Sequence, residues 1–294
     1  MLGAMVYSST PPCAGLTPLP PLNAAAMADH FIKMHGLGND FVIVDARVQP
    51  VAMPPARAHA IADRRHGIGC DQVILLEPSA RADVRMRIFN ADGGEVEACG
   101  NATRCVATLL DRPARIETLG GVLSVSPHDG GAAVELAEPL FDWEHVPLAM
   151  PMDTSDMPVA WDMLERPMAV NVGNPHVVFF VADADAVPLA ALGPQIEADP
   201  LFPERINVNV ASITGPSALR LRVWERGVGL TQACGTGACA TAVAAIRSGQ
   251  VTGPVAVDLP GGRLTIDWTA GGPIRMTGPA THVFTGETDW TRFG

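Results

Sequence analysis

Two cysteines, Cys99 and Cys234, sit in the same triplet, Ala-Cys-Gly, 135 positions apart in the 294-residue chain. Each opens onto a helix-forming run, 101–110 and 238–246. A helix start carries unpaired main-chain N–H groups and the positive end of the helix dipole. It therefore binds carboxylate and lowers a neighbouring thiol from its ordinary value of about 8.5. Gly100 and Gly235, directly after the thiols, let backbone approach a ligand closely. The chain thus carries the same device twice, a thiol beside an anion cradle. Facing each other, two such devices place an acid and a base on opposite sides of one carbon next to a carboxylate. That is the requirement for inverting an α-carbon: one thiolate removes the proton and the opposite thiol returns one to the far face. The helix starts would stabilise the charge that grows on the carboxylate.

This chemistry requires no cofactor. The 20 basic residues include a single lysine, Lys33, so a pyridoxal Schiff base would have one candidate, and the thiol pair does without it. The other cysteines, Cys13, Cys70, Cys105 and Cys239, lack the Ala-Cys-Gly context. Cys105 and Cys239 fall inside the two helical runs and are expected in the core. No pair is spaced C-x-x-C, so zinc-ribbon and thioredoxin patterns are absent and no metal is expected.

What must position the two thiols is a duplicated fold. Residues 86–108 align with 221–243 at six of 23 positions, where average composition gives roughly two. The same offset of 135 places Gly38-Asn39 on Gly173-Asn174, Gln72-Val73 on Asn207-Val208, and Ile61 on Ile196. Each half reads as an apolar strand, a helix, further strands, then Ala-Cys-Gly and a second helix, followed by alternating runs such as 132–136 and 263–268. The expected class is α+β, with two similar halves related by a pseudo-twofold. Each is a mostly antiparallel sheet or barrel around a central helix, with a cleft between the halves. The boundaries expected are an N-terminal half at 27–150, a linker at 151–162 and a C-terminal half at 163–294.

Composition narrows the partners. Apolar residues make up 48 % and the net charge is −11, which suits a globular protein whose surface repels phosphate. A small-molecule substrate is expected, with no nucleic acid. No apolar run reaches the roughly 18 residues of a membrane helix. Residues 1–26 contain no Lys or Arg, which fits neither a secretory nor a transit signal; they read as a disordered extension or a mis-called start, and 27 onward as a cytoplasmic protein.

The motifs KMHGLGNDFVIVDAR (33–47), GIGCDQ (67–72), RIFNADGGEVEACGNATR (87–104), NVGNPHVV (171–178), ERINVNVA (204–211), RVWERGVGLTQACGTGACAT (222–241) and LPGGRL (259–264) together resemble the diaminopimelate epimerases, over about 31–286. The resemblance implies pyridoxal-independent interconversion of LL- and meso-diaminopimelate in lysine and cell-wall precursor synthesis, by a homodimer. Carried over, Cys99 and Cys234 are the acid/base pair. Gly100, Asn101, Gly235 and Thr236 supply donors for the reacting carboxylate. Asn39, Gln72, Asn90, Asn174 and Asn207 match substrate-contacting amides, and neutral amides suit a substrate carrying both ammonium and carboxylate groups. Arg226 matches a group that forks onto the distal carboxylate. Glu225 and His176 match residues that bias the thiols and hold the α-ammonium.

Three positions depart from the usual family pattern. Ala102 stands where glycine is frequent, so the chain there must be helical. Cys70 stands where an aromatic residue is frequent, and Leu230 where an acid is frequent. A proline or hydroxyproline racemase of the same superfamily is the rival reading. Those enzymes usually carry histidine after the first Cys-Gly, where this chain has Asn101.

Overall fold

The computed structural model describes residues 29–294. The expected extension at 1–26 and its neighbours 27 and 28 lie outside the described residues. The described chain divides into two units. One runs to Val134 and takes in Gly278–Gly294; the other is Glu135–Thr277.

In the first unit, strands β1 (His30–Gly36) and β2 (Asn39–Asp45) form a hairpin, helix α1 (Pro55–Ala62) crosses over, and β3 (Gln72–Glu77) runs parallel to β2. Strand β4 (Val84–Asn90) lies antiparallel to β3 and to the short β5 (Glu95–Val96). Helix α2 (Gly100–Leu110) then leads to β6 (Ala114–Thr118), parallel to β4, and on to β7 (Gly121–His128) and β8 (Gly131–Leu136). In the second unit, the short β9 (Ala160–Trp161) and β10 (Leu164–Glu165) pair with each other before the pattern repeats. It comprises β11 (Met168–Asn171), β12 (Pro175–Phe180), α3 (Leu189–Glu197), β13 (Asn207–Gly215), β14 (Ala218–Glu225), β15 (Gly229–Thr231), α4 (Gly235–Arg247), β16 (Val255–Leu259), β17 (Gly262–Asp267) and β18 (Ile274–Pro279).

The repeat holds to the level of strand register. Phe41 faces Gln72 as His176 faces Asn207. Val73 faces Phe89 as Val208 faces Trp224, and Ile88 faces Val96 as Val223 faces Thr231. All are 135 apart. Beyond the second helices the spacing widens to 141, because Ala114 opposite Val125 corresponds to Val255 opposite Ile266. Of the six extra residues, two lengthen α4 and four lie in the connection after it.

The central helices are small-residue rods buried on nearly every side. In α2, Ala102, Thr103, Arg104, Cys105, Val106 and Ala107 are sealed off, and in α4 the run from Gly237 to Ala245 is sealed likewise. Strands β11, β12, β13, β14, β16 and β17 all touch α4. A helix that is apolar all round must be enclosed. Cys105 and Cys239 lie in these cores, as expected, and Cys70 is buried as well.

The units differ from continuous halves at 27–150 and 163–294. The last strand, β19 (Thr281–Glu287), pairs along β1 and belongs to the first unit, as does the 3-10 turn Trp290–Phe293, whose Trp290 packs on the apolar residues around α1. Leu140 bridges to Asn171 in β11 and belongs to the second unit. The segment expected as a linker is packed: Met157 and Thr154 are buried, and Thr154 Oγ1 donates to the carbonyl of Phe141. Backbone hydrogen bonding along β1 and β11 drew these segments in.

Candidate active site: two half-sites

Both thiols occupy the N-cap of a buried helix. Cys99 caps α2 with an extended backbone (φ −147°, ψ 109°) and Cys234 caps α4 likewise (φ −118°, ψ 111°). The first helical turns close by Thr103 N–H donating to Cys99 O at 2.9 Å and Ala238 N–H to Cys234 O at 3.0 Å. Gly38 and Gly173, each preceding a site asparagine, hold φ of +88° and +107°, the left-handed region where a side chain is strained. That turn aims Asn39 and Asn174 at the helix starts.

In the first half-site, Asn39 is the hub. Its Oδ1 accepts from Asn101 Nδ2 at 3.2 Å and lies 3.7 Å from Cys99 Sγ, whose S–H donates to it. Its Nδ2 donates to Asp71 at 2.9 Å. Arg104, fully buried in α2, donates to Asn101 Oδ1 at 2.7 Å. Behind Asp71 stands an ion cluster. Arg64 bonds both Asp40 and Asp71, and Lys33 Nζ meets Asp40 at 2.6 Å and donates to the Gly69 carbonyl. Burial works against the Asp40 carboxylate, but the bonds from Arg64 and Lys33 outweigh it and hold the carboxyl near about 2. The single lysine is therefore tied to structure. Gln72 Nε2 donates to Asn90 Oδ1 at 2.8 Å across β3 and β4, so these two amides are joined to each other.

In the second half-site the polar groups are deeper. His176 is fully buried; its Nε2 lies 2.9 Å from Asn174 Oδ1 and its Nδ1 lies 3.1 Å from Asn209 Nδ2. Desolvation, with a smaller push from Arg226, lowers His176 to about 3 and keeps the ring neutral. Asn174 Nδ2 donates to Thr236 Oγ1 at 3.3 Å, and Thr236 Oγ1 lies 3.6 Å from Cys234 Sγ. Gly237 N–H donates to the same sulfur at 3.4 Å. Burial pushes the Glu225 carboxyl up, with Thr231 and Cys234 pulling it the other way.

Cys234 departs from the expectation that a helix start lowers its thiol. Burial, and then the Glu225 charge, drive it well above the ordinary range; the hydrogen bonds from Thr236 and Gly237 pull the other way without prevailing. Removal of water outweighs the helix start at this sulfur.

Asn207 is held at both ends. It is buried, its Nδ2 donates to Pro175 O at 2.8 Å, and its Oδ1 accepts from Arg226 N–H at 3.0 Å. Both ends of the amide are committed to backbone. Arg226 itself donates through Nη1 to Glu204 O at 3.0 Å. Ala102 lies in the first turn of α2, helical as its side chain demands. Among the described residues no cluster of three His, Cys, Asp or Glu side chains is placed to hold a metal ion.

Four residues escaped the sequence reading: Asp71, Arg104, Asn209 and Gly237. Each left a local signal. Arg104 is a charge inside a buried helix, and Asn209 shares a strand face with Asn207, alternating with the valines at the start of β13.

The sequence model of the family described as Diaminopimelate epimerase matches residues 31–140 and 168–283. The chain belongs to the diaminopimelate epimerase family. It is 76 % identical over 268 residues to the diaminopimelate epimerase of Sphingopyxis alaskensis, covering 91 % of this chain and all of that protein. Against the diaminopimelate epimerase of Zymomonas mobilis the identity is 56 %, again over 91 % of this chain and all of the relative. Among solved structures, a Bacillus anthracis phenazine biosynthesis protein of the PhzF family aligns with TM-score 0.63 at 17 % identity, over 88 % of this chain and 98 % of that one. A probable proline racemase from Agrobacterium radiobacter aligns with TM-score 0.61 at 15 % identity, over 89 % and 93 %. Those two likenesses establish the fold. As a member of this epimerase family, the protein is an isomerase.

Proposed function

We propose that the protein interconverts LL- and meso-diaminopimelate without a cofactor, with Cys99 and Cys234 as the two acid/base groups. Membership of the family, together with two thiols capping equivalent helices, carries this reading. In one direction a thiolate takes the α-proton while the other thiol delivers a proton to the opposite face; in reverse they exchange roles. Glu225, whose charge acts on Cys234, is the group that relieves that thiol of its proton. Main-chain donors at Gly100, Asn101, Gly235 and Thr236 receive the reacting carboxylate, where negative charge grows. Asn39, Asn174, Gln72 and Asn90 offer neutral amides to the substrate. Arg226 takes the distal carboxylate with its remaining guanidinium donors. Asn207, whose Oδ1 also holds the Arg226 main-chain N–H, offers a further amide to the substrate.

The reaction serves lysine and peptidoglycan precursor synthesis, in the cytoplasm. No helix of the described residues is long and apolar enough to cross a membrane. The working form is a homodimer; Val283 and Phe284, 51 % and 46 % exposed on β19, offer apolar area for that contact.

The test is deuterium uptake. Purified, reduced protein in D₂O with diaminopimelate and no added cofactor is expected to exchange the α-hydrogen and to equilibrate the stereoisomers, followed by NMR and chiral chromatography. Exchange with proline and none with diaminopimelate would transfer the assignment to the racemase reading.

A further inference from the structure

The duplicated register shows where the halves diverged. His176 occupies the place of Phe41, and Asn209 the place of Ile74; all four are buried. A polar pair thus replaces two apolar side chains in the second unit only. Burying an imidazole and an amide is costly unless both are hydrogen-bonded.

The direction of each bond can be read from one fixed point. Asn209 Nδ2 lies 3.0 Å from the carbonyl of Val177, which only accepts, so that end of the amide is the NH₂. The same NH₂ faces His176 Nδ1, which must therefore be the bare, accepting nitrogen. The ring proton of neutral His176 then sits on Nε2 and donates to Asn174 Oδ1. Asn174 consequently turns its NH₂ to Thr236 Oγ1, which lies 3.6 Å from Cys234 Sγ. Every member donates in the same sense, from Asn209 as far as Thr236.

The opposite end of Asn209 fits the same picture. Its Oδ1 is buried with no hydrogen-bond partner, and a Cβ on Gly237 would come within 2.6 Å of it. The glycine makes room for the asparagine beside the N–H that bonds Cys234.

We propose that Asn209 is a positioning residue of the second half-site: by holding His176 as its Nε2–H tautomer, it fixes which end of the Asn174 amide faces Thr236 and Cys234. The proposal rests on the epimerase reading for its effect on turnover, and on the hydrogen-bond polarity alone for its effect on the ring.

The test separates the two. In protein labelled with ¹⁵N-histidine, long-range ¹H–¹⁵N correlation spectra report the tautomer, with the His176 signals assigned by their loss in His176→Phe. The wild type is expected to show His176 protonated on Nε2 and bare on Nδ1. Asn209→Asp keeps the shape and removes the donor, so the proton is expected to appear on Nδ1, with kcat/KM for diaminopimelate falling roughly 10- to 100-fold. Asn209→Leu is expected to populate both tautomers with roughly a tenfold loss. The double variant His176→Phe with Asn209→Ile restores the apolar pair of the first unit; it is expected to melt at or above the wild-type temperature, yet to remain impaired. An Nδ1–H signature in the wild type, or Asn209→Asp with unchanged tautomer and unchanged turnover, would overturn the proposal. Full activity in the folded double variant would reduce Asn209 to packing and overturn it too. If wild-type protein fails to exchange deuterium into diaminopimelate while the tautomers behave as described, the functional reading fails and the positioning role stands.

Discussion

Cys99 and Cys234 cap equivalent helices, yet their sulfurs meet opposite partners. Cys99 is partly exposed and faces a carbonyl oxygen, Asn39 Oδ1, that can only accept. Cys234 is buried and accepts from the Gly237 N–H, with the Thr236 hydroxyl beside it and the Glu225 charge acting on it. Behind each thiol the polar reserves are exchanged. The first unit anchors its asparagine with an ion cluster of Lys33, Asp40, Arg64 and Asp71, where the second has Met168, Pro175, Asp199 and Ile206. The second unit anchors its asparagine with His176 and Asn209, where the first has Phe41 and Ile74. Duplication preserved backbone geometry, which strand register and helix caps dictate. The amide polarity of each half-site depends on side chains that could diverge one by one.

The strongest way to break this comparison is at the sulfurs. Cys99→Ala and Cys234→Ala are each expected to cut inversion by roughly a thousandfold, the scale of a lost general acid or base. Stereoisomer interconversion measures it, and near-normal inversion in either variant would remove the two-thiol scheme.

Ala102 and Gly237 occupy matching positions and give a sharper contrast. Gly237→Ala drives a methyl against Asn209 Oδ1 and is expected to cost roughly 10- to 100-fold in kcat/KM. Ala102→Gly meets no such obstacle and is expected to cost about 1 kcal/mol of stability, as glycine does in a helix, with turnover nearly retained. Thermal melts and steady-state kinetics on both variants decide it.

The buried histidine makes a prediction about pH. His176 is lowered from 6.5 to about 3 in the folded protein. The unfolded chain therefore binds more protons between those values, so this contribution is fully present above 6.5 and is lost as pH falls toward about 3. The slope approaches about 1.4 kcal/mol per pH unit inside that window. Urea unfolding from pH 7 to pH 4 should show the slope flatten in His176→Phe, while Phe41→Leu in the other unit leaves it unchanged.

An effect confined to binding is expected at Asp71. Asp71→Ala releases Asn39 Nδ2 but leaves Asn101 bonded to Asn39 Oδ1. A rise in KM of about tenfold, equal to one charge-assisted hydrogen bond, is expected with kcat little changed.

Much of this was legible in the sequence. The twin Ala-Cys-Gly triplets, the offset of 135 and the Gly-Asn turns name the fold class, the helix caps and the two thiols, because helix starts and tight turns are set by neighbours in the chain. The motifs likewise point to the family. Three things were decided only by tertiary structure. The unit boundaries followed backbone pairing of β19 with β1 and of Leu140 with Asn171, contacts remote in sequence. The Cys234 thiol went up instead of down, because burial beside Glu225 depends on what the fold packs around the helix start. The last is the amide pair of β13, where Asn207 is held by backbone at both ends. Asn209, one strand step further along the same face, came to govern the histidine, because an amide's polarity is set by whichever donor or acceptor the fold places against it.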